Sequence, residues 1–189
     1  LGSETMKEIA ITKPKGTLIM KTCTEADLDK MMALQETVCS SIQNQDIFMP
    51  SDREDNAAYL EAPNFVIGCF DGETLVAYSS FVLPGEDACN YGWDLGWPLE
   101  KILSCAKLDT VVVHPSYRGN HLQQQLIAFA LEFARENNDR DHGIKYILTT
   151  VSPSNEHSLH NVQEMGFEVL MQKRKYGGKE RFILCRTLY

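Results

Sequence analysis

The sequence predicts an α/β (α+β) fold, a mixed and mostly antiparallel sheet with flanking helices. Three observations carry this expectation: Asp71-Gly72 joins two β-rich runs, Gly177-Gly178 joins two more near the end, and between them strand and helix patterns alternate. Asp-Gly and Gly-Gly favour tight hairpin turns, and the alternation brings strands together across helices.

The elements follow in order. "GTLIMKT" is the first strand. "TEADLDKMMALQETVCSSI" is a helix, with Thr24 as N-cap, Asp27 in the capping-box position and apolar residues at Leu28, Met31, Val38 and Ile42. "SDREDNAAYLEAP" repeats that logic with Ser51 and Glu54, and Pro63 ends it. "NFVIGCF-DG-ETLVAYSSFVL" is a hairpin, and residues 84–101, Gly-rich, aromatic and acidic, form an irregular loop with a short helix. "KLDTVVV" is a buried strand, followed by a helix with Leu122, Leu126, Phe129 and Phe133 on one face. "KYILTTV" is the next strand, "SNEHSLHNVQEMG" a helix stopped by Gly166, and "FEVLMQKRKY-GG-KERFILCRTLY" the last hairpin.

Composition limits the function classes. The 189 residues fit one domain, residues 6–189, with 1–5 ahead of Met6 read as the remnant of an expression tag. No apolar run reaches bilayer length and no secretory leader stands at the start, so a soluble, cytoplasmic protein is expected, with no membrane partner. The six cysteines include no C-x-x-C pair and read as reduced, mostly buried small hydrophobes. A formal charge of -8 argues against nucleic-acid binding, which needs a basic surface. Lys173-Arg174-Lys175 reads as the exposed face of a hairpin.

The stretch "VVVHPSYRGNHLQQQLI" carries the chemistry. The first turn of a helix leaves its N–H groups without partners and partly positive, which favours an anion. Arg118 adds a planar cation suited to phosphate oxygens, and Gly119 lets the backbone pass close to a ligand. The same residues would also suit an ordinary strand-to-helix turn with a solvated arginine.

Together with "ILTTVSPSNEHSLHNVQEMGFEVL", this stretch resembles the GNAT superfamily of acyl-CoA-dependent N-acetyltransferases, over roughly residues 16–189. The resemblance rests on Val113-x-Pro115, Tyr117-Arg118-Gly119-Asn120, Asn155 after the next strand, and Gly166-Phe167 before the final hairpin. It implies a sheet whose central strands splay apart, with acetyl-CoA as cosubstrate lying between residues 110–113 and 145–151. The pantetheine arm would pair with the exposed amides of Val111, Val112 and Val113. The pyrophosphate would rest on the N–H groups of Arg118, Gly119, Asn120, His121, Leu122 and Gln123. Asn155 would fix the pantetheine while also capping a helix, and Ser158 would face the same region. No metal is implied, and His157 with His160 lacks a third ligand.

Two positions depart from the family pattern. The small residues usual in the phosphate loop are His121 and Gln123 here, so weakened or altered cofactor contacts are expected. Where relatives often carry a tyrosine to protonate the thiolate, Val162 has no proton to give; Ser158, a water or Tyr91 could substitute. Asp109, placed by strand alternation on the face of Val111 and Val113, is the candidate base, or a solvated carboxylate at the sheet end. The acceptor side would be built from "DIFMPSDREDNAAYLE" and "PGEDACNYGWDLGWPLEK", whose acidic groups with Tyr91, Trp93 and Trp97 suit a small cationic amine or simply form surface and core. The expected activity is acetyl transfer to a primary amine, the alternative a noncatalytic acyl-CoA sensor; a homodimer is a possible assembly.

Overall fold

The computed structural model describes residues 5–189. The expected tag remnant lies outside the described residues except for Thr5, which has no regular structure. Eight strands form one sheet in the order β1-β2-β3-β4-β5-β6-β8-β7. They are β1 (Met6–Thr12), β2 (Lys15–Thr22), β3 (Phe65–Asp71), β4 (Thr74–Val82), β5 (Cys105–Val113), β6 (Tyr146–Val151), β7 (Glu168–Lys175) and β8 (Lys179–Thr187). Every neighbouring pair is antiparallel except β5 and β6, so the sheet is mixed and mostly antiparallel.

The sequence reading missed β1. Its inward side chains, Ile9 and Ile11, alternate with the exposed Glu8, Ala10 and Thr12, as in an edge strand with one solvated face, and β1 closes onto β2 through Lys13-Pro14. The β3–β4 hairpin turns at Asp71 and Gly72 as expected, with Gly72 at φ 59 where a side chain would be strained.

The helices are α1 (Leu28–Ser41), α2 (Arg53–Tyr59), α3 (Tyr91–Asp94), α4 (Leu99–Ile102), α5 (Leu122–Glu136) and α6 (Glu156–Glu164). A single 3-10 turn, Glu25–Asp27, leads into α1, where the Asp27 carboxylate accepts the Thr24 N–H at 2.8 Å. At α2 the expected cap is off by one residue: Asp52, not Ser51, accepts the N–H of Asp55 at 2.8 Å. Ser51 instead exchanges two backbone bonds with the Gln35 side chain.

The two long helices cover opposite faces. Leu122, Leu126, Phe129 and Ala130 of α5 pack with Ile9, Leu18, Ala77 and Leu108, whereas Met31, Leu34 and Val38 of α1 pack with Val66, Tyr78 and Val112. Leu126 and Ile127 are fully buried, each worth roughly 1.5 to 3 kcal/mol relative to exposure. All six cysteines are free thiols; Cys23, Cys69 and Cys105 are buried and Cys89 is exposed. Burial pushes the thiols of Cys69 and Cys105 up to about 12, which keeps them protonated and unreactive. Among the described residues no helix is long and apolar enough to cross a membrane.

Candidate active site

The site begins where the two central strands part. β5 and β6 pair over only three positions, Cys105 with Tyr146, Ala106 with Ile147 and Lys107 with Leu148. Beyond them β8 follows β6 to Val151 while β4 follows β5 to Val113, so a gap opens in the middle of the sheet. Leu108 to Val113 therefore have no strand partner on the β6 side. The Thr149 hydroxyl bridges the start of the gap by donating to the Leu108 carbonyl at 2.9 Å.

A bulge in β5 changes which residues face the gap. Ser80 pairs with Thr110 and Phe81 with Leu108, leaving Asp109 as the extra residue. Leu108, Val111 and Val113 pack toward α5, while Val112 packs toward α1. Asp109 and Thr110 both fall on the α1 and α2 side, and the Thr110 hydroxyl donates to Asp109 at 3.2 Å. The expectation that Asp109 shares a face with Val111 and Val113 is thus corrected: alternation holds only in a regular strand, and the bulge resets it.

Asp109 is held by Lys107, whose Nζ lies 3.0 Å from its carboxylate, and their side chains are 6% and 11% exposed. Burial works against the Lys107 charge, but Asp109, together with Cys89 and Tyr176, outweighs it and the ammonium ends with a raised pKa. Tyr59 of α2 has its hydroxyl pushed up by burial and by Asp109.

The gap opens into a cleft of about 450 Å³. On the α5 side it is lined by Val111, Gln123, Asn155, Ser158 and Val162; on the other side by Asp55, Tyr59, Tyr91, Lys107, Asp109 and Tyr176. The 47–51 segment and Arg174, Lys175 and Arg181 complete the second chamber.

The phosphate-loop residues are arranged as follows. His114 Nδ1 accepts the Ser116 N–H at 3.0 Å, setting a turn at Pro115–Tyr117. Gly119 has φ 86 and His121 φ 57, both left-handed. The first bond of α5 runs from Gln125 N to His121 O at 3.0 Å, so the amides of Leu122, Gln123 and Gln124 have no helical partner. Arg118 and His121 are exposed beside them, and Arg118 Nη2 reaches Ser41 Oγ at 3.4 Å. Asn120 serves the scaffold instead. Its side chain accepts from Thr12 and Lys13 N–H and donates to the Lys13 carbonyl, pinning the β1–β2 turn.

Asn155 caps α6, its Oδ1 accepting from Ser158 N at 3.2 Å. Gln123 does not turn away from the site. Its amide donates to Ser158 Oγ and accepts from Asn161 Nδ2, both at 2.9 Å, and so ties α5 to α6 across the gap. Because Ser158 Oγ accepts that bond, its own proton is free. Val162 is buried against the core under α5. His157 and His160 contact Asn161 and Glu164, and among the described residues no cluster of three His, Cys, Asp or Glu side chains could hold a metal.

Sequence reasoning missed much of the second chamber. The Tyr176 hydroxyl lies 2.6 Å from that of Tyr91 and 3.0 Å from Thr150 Oγ1, a chain of three hydroxyls from three elements. Burial and Tyr176 push the Tyr91 hydroxyl well up, so it stays a proton donor. The run 173–175 does more than face solvent: Lys173 and Lys175 both bond Asp94 at 2.8 Å, and Arg174 and Lys175 line the cleft. Trp93 and Trp97 do not join Tyr91 there. Trp93 is exposed and donates to the Glu86 and Asp87 carbonyls, while Trp97 stacks under Lys101 and beside Tyr146.

Residues 29–167 match the Acetyltransferase (GNAT) family. The splayed sheet belongs to a class of similar solved folds. The GNAT domain of S. lividans PAT superposes with TM-score 0.68 at 16% identity, over 96% of each chain. The ribosomal-protein-S18-alanine N-acetyltransferase from Escherichia coli gives 0.65 at 14% identity, over 90% of this chain and 94% of that one. A putative acetyltransferase from Salmonella typhimurium, yncA, solved with its cofactor acetyl-CoA, gives 0.64 at 18% identity, over 91% and 94%. No curated protein matches the sequence. The chain belongs to the GNAT acetyltransferase family.

Proposed function

We propose that residues 6–189 form one N-acetyltransferase unit that moves an acetyl group from acetyl-CoA to a primary amine. The observation that supports this most is the gap between β5 and β6, which exposes an unpaired strand edge and joins the α5 N-terminus to the second chamber in one cleft. Acetyl-CoA fits the donors present there and, when bound, supplies the acetyl thioester. The amides of Val111 and Val113 offer the strand edge on which the pantetheine arm pairs, while the His114 N–H bonds Val76 of β4 and the Val112 N–H points the same way. Leu122 and Gln123 offer free helix amides to the phosphates, with Arg118, Gly119, Asn120 and His121 shaping the loop. Backbone donors survive the substitution of the usual small residues, because Gln123 can present its N–H while its side chain bonds α6.

The amine must first lose a proton. Asp109 orients the ammonium and takes that proton through water, while Lys107 keeps the carboxylate from swinging away. The amine nitrogen then bonds the acetyl carbon, the carbon–sulfur bond breaks with its electrons going to sulfur, and the nitrogen passes its second proton to water. A strand amide near Val111 donates to the oxygen that gains charge. The departing thiolate receives a proton from Ser158 or from the Tyr91–Tyr176–Thr150 chain. A thiol whose pKa is about 8.5, like that of cysteine, leaves readily, so replacing the usual tyrosine by Val162 slows the reaction rather than stopping it.

Val162 also supports a second reading, a noncatalytic acyl-CoA sensor; release of CoA thiol on adding amines separates the two. The first test is calorimetry and thermal denaturation with acetyl-CoA. Ligand at a hundred times its Kd stabilises by about 2.7 kcal/mol, a rise of roughly 5 to 10 °C for a chain this long. Arg118→Glu should lose most of that rise. No response from the unaltered protein would overturn the proposal.

A further inference from the structure

Two charges that line the second chamber are left unpaired. Lys107 is paired with Asp109, Lys175 with Asp94, and Arg174 with Glu180 at 2.8 Å. Arg181 and Asp55 remain, each lining the cleft and neither paired with an opposite charge among the described residues.

Arg181 is the more telling of the two. It lies on β8 and is only 4% exposed, yet its charged head finds no carboxylate. Two of its N–H groups donate to the backbone carbonyls of Glu180 and Asp46, at 2.7 and 2.6 Å, and its guanidinium lies 5.6 Å from the Tyr176 ring centre. A guanidinium has five donors in a planar fork, so these bonds leave donors for a carboxylate. A buried cation without a counter-ion is costly, and a substrate anion would offset that cost. Asp55 is the complement. It is an exposed carboxylate on the cleft wall, and partial desolvation, followed by the neighbouring Asp52 and Asp109 carboxylates, raises its pKa, so an ammonium placed between Asp55 and Asp109 would be attracted by both.

The chamber also has a wall fixed by long-range bonds. The Arg181 bond to Asp46 and the Lys179 bond to the Gln45 carbonyl, at 3.4 Å, tie the segment before α2 to the start of β8. Residues 47–51 follow that tie and line the cleft, walling it on this side.

We propose that the acceptor is a small zwitterion, an amine that also carries a carboxylate as an amino acid does, with Arg181 holding the carboxylate and Asp55 and Asp109 the ammonium. This rests on the acetyltransferase reading above. It narrows the cationic amine expected from the acidic segments, because a purely cationic acceptor would leave Arg181 without a partner.

The test compares matched acceptors differing only in the carboxylate: phenylalanine with phenethylamine, histidine with histamine, and lysine with cadaverine, each scored for acetyl-CoA-dependent thiol release. The acid should be preferred by about thirtyfold or more in kcat/KM for the best-fitting pair, the size expected when one partner of a buried charge pair is removed. Arg181→Met should bring that ratio toward one, mainly through the KM of the acid, whereas Arg181→Lys should keep part of it. Because the preference is read first on the unaltered protein, a variant that fails to fold does not decide the outcome. Amines turned over as well as their acids, or neither turned over while acetyl-CoA still binds, would overturn the proposal. Loss of acetyl-CoA binding itself would instead remove the acetyltransferase reading, and this inference with it.

Discussion

The two halves of the cleft are built differently. On the α5 side the donors are backbone amides, presented by one loop and one helix start at residues 118–124. On the other side the polar groups are side chains from α2, α3, β5, β6, β8 and the hairpin turn at Tyr176. The first half tolerates changes of side chain because its chemistry lies in the chain direction. The second depends on each residue and on how the elements pack, so it should be the more fragile.

Breaking the Lys107–Asp109 pair should therefore have the largest effect. Asp109→Ala leaves a buried ammonium uncompensated and should cost about 3 to 5 kcal/mol in urea unfolding. Pairing it with Lys107→Met should recover much of the loss, and no recovery would mean that the bulge rather than the charge carries the effect.

The next effect is at Asp94. Burial alone would raise its carboxyl, but the bonds from Lys173 and Lys175 outweigh burial and hold it below the usual range. A folded pKa below the unfolded one gives stability that is present above the unfolded value, about 3.9, and is lost as pH falls through the folded value. Asp94→Asn should cost about 1.5 to 3 kcal/mol at neutral pH and flatten the acid limb of stability against pH. An unchanged acid limb would show that Asp94 does not hold β7 to α3.

On the backbone-built side the expected changes are smaller. Gln123→Ala removes the link from α5 to Ser158 and Asn161 and should cost about 1 kcal/mol, read as a shifted urea midpoint. His121→Gly replaces a residue held at φ 57 by one that adopts it freely, while giving the unfolded chain more freedom. The net stability change should stay within about 1 kcal/mol. If either variant matched Asp109→Ala in cost, the contrast between the halves would fail.

The same contrast explains what was legible beforehand. Helix starts, hairpin turns and the Arg118-Gly119 loop are local, so α1, α5, both named hairpins and the loop between β5 and α5 could be read from neighbouring residues. Strand β1 was missed because its two inward isoleucines make too short a pattern on their own. Asp109 was assigned the wrong face because a bulge is decided by the partner strand, and nothing in "KLDTVVV" marks it.

The sequence alone determined the mixed sheet, the order of its main elements from β2 onward and the loop that ends β5, because turn chemistry and side-chain periodicity act within a few residues. Only the tertiary structure decided that β5 and β6 part after three pairs, that Tyr176 meets Tyr91, and that Arg181 lies buried without a counter-charge. Tyr91 and Tyr176 stand 85 residues apart, and Arg181 meets Asp46 across 135. Such contacts depend on where the sheet brings distant segments together, and no local pattern records that.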